Sequence, residues 1–107
     1  MRPLLAAGFL IWGCACPALA QERDQLVEQG KLLAISLCAQ CHAVGPNDAS
    51  PHAQAPPFRA LDRRVDLDTF FQRLREGVTS GHPDMPTFRF TREDARAFIA
   101  YLRSIQR

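Results

Sequence analysis

The sequence is short of several things, and each shortage closes off a class of function. It has no run of basic residues longer than the pair Arg63–Arg64: its 13 Lys and Arg are scattered among 11 Asp and Glu. Nucleic acid recognised through a basic patch is therefore excluded. It has no internal repeat, no low-complexity tract and no stretch of apolar/polar alternation, so neither a solenoid nor a sheet is expected. The longest hydrophobic run, Leu4–Trp12, is nine residues, well under the ~20 needed to span a bilayer. With 107 residues in all, one small domain is allowed and two cores are not.

That hydrophobic run has a different use. Arg2 precedes it as a short positive region, and Ala18–Ala20 follows as a small-x-small site. Positive start, apolar middle and small-residue end form a secretory signal peptide. Residues 1–20 are thus expected to be removed on export to the periplasm, leaving a domain of residues 21–107. A lipoprotein cut at Cys14 in "IWGC" is the minor alternative. Removal makes the shortages sharper. Two of the four cysteines, the only tryptophan (Trp12) and one of two methionines lie in the leader. The exported chain keeps only Cys38, Cys41, Met85 and the histidines His42, His52 and His82.

Three stretches read as helices. The first runs from about Arg23 to Gln40, with Asp24 as a cap and Leu26, Gly30, Leu33 and Leu37 on one face. The second runs from about Leu67 to Glu76, capped by Asp66 and ended by Gly77, with Leu67, Phe70, Phe71 and Leu74 apolar. The third runs from about Arg92 to Ile105, where Thr91 and Asp94 approximate a capping box and Phe98, Leu102 and Ile105 line a face. Between the first two lies a Pro-rich loop from Ala43 to Arg64. About twenty irregular residues are long for a compact domain. A large apolar cofactor would give such a loop something to wrap.

"LCAQCHAVG", Leu37–Gly45, holds the remaining cysteines. A redox dithiol of thioredoxin type would need strands around it. A closed zinc site needs four ligands; Cys38, Cys41 and His42 offer three, and no second CxxC exists. C-x-x-C-H is also the attachment signature of c-type haem. On a helix, cysteines three apart share a face and can reach the two vinyl groups of one porphyrin edge. His42 then offers an imidazole to the iron, its other nitrogen held by a carbonyl. For the opposite face, Met85 in "SGHPDMPTF" is the best candidate: a soft thioether in a loop stiffened by Pro83 and Pro86. His82 is the rival ligand, and His52 a third.

These residues resemble a class I cytochrome c of the small bacterial, mitochondrial-like type. "CAQCH", "HPDMP" and "FIAYLRS" carry the likeness, together with Gly30 eight residues before Cys38 and "APPF" at Ala55–Phe58. The resemblance implies an all-α cytochrome c fold, with about three helices and long loops around one covalent haem c. It implies that Gly30 packs against Tyr101, and that Pro57 or Pro56 supplies the carbonyl for His42. It implies a monomeric one-electron carrier with transient redox protein partners rather than an enzyme. The alternatives are a haem enzyme or gas sensor with a labile sixth ligand, and an electron-transfer subunit of a dehydrogenase or oxidase. One departure stands out: without a tryptophan, a propionate of the haem needs another partner, and Arg59, Arg63 and Arg64 are the choices.

Overall fold

A computed structural model describes residues 3, 8–10, 13, 16–79 and 81–107. Half of the expected leader, Cys14 included, lies outside the described residues. Among the described residues, three α-helices and one 3-10 helix make up the regular structure: α1 (Cys16–Leu37), the 3-10 helix (Phe58–Arg63), α2 (Leu67–Glu76) and α3 (Arg92–Ile105). Among the described residues the one strand-like pairing is an isolated antiparallel bridge between Val78 and Phe88. None of the described helices is long and apolar enough to cross a membrane.

The two later helices take their ends from the expected residues. Asp66 accepts the backbone N–H of Thr69 at 2.8 Å, and Thr91 accepts that of Asp94 at 3.1 Å. Each side chain satisfies a donor that the first turn leaves unpaired. The same hydrogen bond holds the Asp66 carboxyl below its ordinary pKa. Gly77 ends α2 at φ +116°, a conformation glycine reaches without strain.

α1 departs from expectation at both ends. It starts at Cys16 rather than near Arg23, so Asp24 lies inside the helix and caps nothing. Pro17 is tolerated in a first turn, and Ala18, Leu19, Ala20, Gln21 and Glu22 all favour helix. The helix stops at Leu37, and Cys38–Cys41 form hydrogen-bonded turns instead of regular helix. Cys41 N–H and His42 N–H both donate to the Cys38 carbonyl, at 3.2 and 2.9 Å. The chain tightens there, but the two cysteines still share one turn.

α1 crosses α3 at its one glycine. A Cβ on Gly30 would lie 2.0 Å from the Ala97 carbonyl oxygen and 2.7 Å from Tyr101 Cβ. Only a bare backbone fits that approach. Ala34, fully buried, and Val27 continue the same face. Leu37, expected on this face, is exposed and borders a cavity. Phe98 and Leu102 of α3 and Leu74 of α2 centre the core. Tyr101 then ties the first long loop to α3: its hydroxyl donates to the Val44 carbonyl at 2.5 Å. Burial, with Asp48 and Glu28 nearby, raises the pKa of this phenol.

Candidate haem site

The loop after α1 folds back on the cysteine turn. His52 N–H donates to the Cys41 carbonyl at 3.0 Å, and Phe58 N–H to the Ala43 carbonyl at 2.9 Å. Ser50 Oγ accepts the N–H of Ala43 at 2.9 Å. These bonds carry Pro56 past the ring of His42, whose Nδ1 meets the Pro56 carbonyl at 2.9 Å. A carbonyl only accepts. Nδ1 therefore carries the proton, and the lone pair sits on Nε2, the arrangement a ligating histidine needs. Phe58 stacks beside the imidazole, with ring centres 4.9 Å apart. Of the two prolines named from the sequence, Pro56 supplies the carbonyl.

Cys38 and Cys41 are both partly buried and not joined in a disulfide. Burial, then the neighbouring Cys41, pushes the Cys38 thiol up to about 12. The surroundings favour an uncharged sulfur. A thioether meets that condition without further adjustment, whereas a thiolate would need a compensating cation.

Met85 comes from the loop between α2 and α3. Val78 and Phe88 exchange backbone hydrogen bonds of 2.8 and 3.3 Å, and this bridge closes the base of the loop that carries Met85. Gly81 turns the loop at φ +76°, and Met85 N–H donates to the His82 carbonyl at 3.1 Å. Met85 is partly buried against the core.

Cys38, Cys41, His42 and Met85, which come from two loops, line one cavity of about 590 Å³. That volume lies in the range of small-molecule and cofactor sites. Its walls are mainly apolar, with Leu61, Phe70, Leu74, Val78 and Phe98 among them. The donor set, one imidazole, one thioether and two cysteine sulfurs in an apolar cleft, fits haem c. His52 and His82 also border the cavity.

The arginines separate. Arg59 donates to the Asp48 carbonyl and Arg63 to the Arg107 carbonyl; neither lines the cavity. Arg64 does, together with Arg73, which sequence reading missed. The missed signal was positional. Arg73 stands three residues after Phe70, so the two share a face of α2 and both line the cavity.

A profile described as "Cytochrome C oxidase, cbb3-type, subunit III" matches residues 25–102. A curated relative, cytochrome c-552 of Bradyrhizobium diazoefficiens, is 34% identical over 77 residues, covering 72% of each chain. No solved structure matches.

Proposed function

Because this chain belongs to the class I cytochromes c, an electron-carrying family with covalently bound haem c, we propose that it is a periplasmic one-electron carrier with His42 and Met85 as axial ligands. Cys38 and Cys41 form the two thioethers. The observation that carries this reading is that His42, held by the Pro56 carbonyl at 2.9 Å, and Met85 line the same cavity.

Haem c supplies a reversible one-electron change at iron. The chain's own residues do the rest. Pro56 fixes the imidazole plane and keeps Nε2 as the lone-pair nitrogen. The Val78–Phe88 bridge and the two prolines hold Met85 in place, so a weak thioether bond is not lost to loop motion. Imidazole and thioether together raise the reduction potential. Phe70, Leu74 and Phe98 exclude water. Arg64 and Arg73 are the guanidiniums on the cavity wall and would hold the propionates. With His42 and Met85 both holding the iron, haem c would offer no open site to a substrate. Redox proteins are the partners, and their encounters are transient and use a small exposed edge. The protein works as a monomer.

Residues 1–20 act as the signal peptide. Two facts support this: Ala18–Ala20 are exposed, and the first residue of α1 that packs against the core is Val27. Cleavage after Ala20 costs the core nothing.

The test is the visible spectrum of oxidised, haem-loaded protein. A weak far-red band from sulfur-to-iron charge transfer is expected, absent in Met85→Ala and retained in His82→Ala. A high-spin ferric spectrum in the unmutated protein would overturn the ligation.

A further inference from the structure

Three side chains at the rim of the cavity stand apart from the ligands assigned above. A ring nitrogen of His52, a ring nitrogen of His82 and a carboxylate oxygen of Asp84 all lie within 4.8 Å of one another. His52 comes from the loop after the cysteine turn; His82 and Asp84 come from the Met85 loop. The rings meet edge to face, with centres 5.5 Å apart. Both histidines are half-buried and Asp84 is exposed, so the group is open to solvent ions.

We propose that His52, His82 and Asp84 bind a divalent first-row transition ion, with zinc and copper(II) as the best fits. Two imidazoles and one carboxylate are a donor set for these ions and a poor one for calcium or magnesium, which take oxygen ligands. Size agrees. With metal–nitrogen bonds of about 2.1 Å, two ligands on one tetrahedral ion sit about 3.4 Å apart. The observed spread, at most 4.8 Å, needs up to about 1.4 Å of closure, within reach of side-chain rotation.

In each ring, Nδ1 accepts the backbone N–H two residues on, Gln54 for His52 and Asp84 for His82, at a long 3.3 Å, a weak contact for an ion to replace. The opposite nitrogen of His82 meets Gln54 Oε1 at 3.2 Å. A ligating histidine characteristically donates its second N–H to such an acceptor. Water or a further ligand completes the coordination. The bound ion joins the loop that supplies Pro56 to the loop that carries Met85, and so closes the two sides of the cavity mouth together.

The test is calorimetric titration of zinc into untagged, haem-loaded protein, with thermal unfolding as a second readout. One zinc per chain is expected, with a dissociation constant raised at least tenfold in His52→Gln and in His82→Gln. Zinc should raise the unfolding midpoint of the unmutated protein and not that of either variant. An unaltered visible spectrum in both variants shows that the fold and the iron ligands persist. Absence of saturable binding in the unmutated protein overturns the proposal. So does zinc affinity unchanged in either variant, or a site equally filled by magnesium.

Discussion

Tyr101 shows how much one side chain does here. Its Cβ abuts Gly30 and its hydroxyl reaches Val44, so it joins α1, α3 and the first loop. Replacing it with phenylalanine keeps the ring and strips the carbonyl of its donor. The expected loss is about 1–2 kcal/mol, read from denaturant unfolding of the haem-loaded protein. The pH dependence has a definite sign. The folded protein raises this phenol's pKa, chiefly by burial. Its contribution is therefore complete below the ordinary tyrosine value of ~10 and lost as pH rises through the higher folded value. Tyr101→Phe should flatten the alkaline fall in stability, and an identical fall in the variant would refute the assignment. At this scale the sequence was legible where chemistry dictates spacing. Cys38, Cys41, His42 and Met85 could be named before any fold, and all four line one cavity. Choosing Pro56 over Pro57, or Arg73 over Arg59, depends on where a loop turns and how a helix face is aimed. Neither is written in local spacing.

For the elements, the crossing of α1 and α3 is the joint on which the rest hangs. A methyl on Gly30 gains about 1 kcal/mol of helix propensity, but it must displace a backbone carbonyl 2.0 Å away. Backbone cannot rotate aside as a flexible side chain can. Gly30→Ala should therefore destabilise the protein by about 2 kcal/mol net, as an overpacked core does, with the urea midpoint as the measure. An unchanged midpoint would mean that the helices do not meet so closely. α2 and α3 matched their expected bounds because polar caps, amphipathic faces and, in α2, a terminal glycine all agreed. α1 did not, because Asp24 looked like a cap and residues 16–20 were set aside as leader, though their composition favours helix. The 3-10 helix at Phe58–Arg63 was read as loop. Its turns are held from outside: Gln106 reaches the Asp62 N–H and the Phe58 carbonyl at 2.9 and 2.7 Å. No window of sequence around residue 60 contains that partner.

Taken whole, the molecule is close to electrically neutral, and this bears on how it meets partners. The full chain has net charge +2. Removing residues 1–20 takes away Arg2 alone among charged residues, which leaves +1. Two propionates facing Arg64 and Arg73 would cancel locally against those guanidiniums. What remains on the surface is mixed in sign, as in the ion pair of Arg103 with Asp68. Long-range steering needs a field of one sign over a patch wider than the screening distance, about 10 Å at 0.1 M salt. No such patch follows from this charge balance, so encounter should depend on the shape and apolar character of the exposed edge. Leu37, at the end of α1 and 39% exposed on the cavity rim, is part of that edge. The expectation is quantitative. Rates of electron exchange with small anionic and cationic redox reagents, followed by stopped flow, should each change less than about tenfold between 10 and 200 mM salt. A steep fall for one reagent, mirrored by a rise for the other, would reveal a strong local field and would assign partner choice to charge instead.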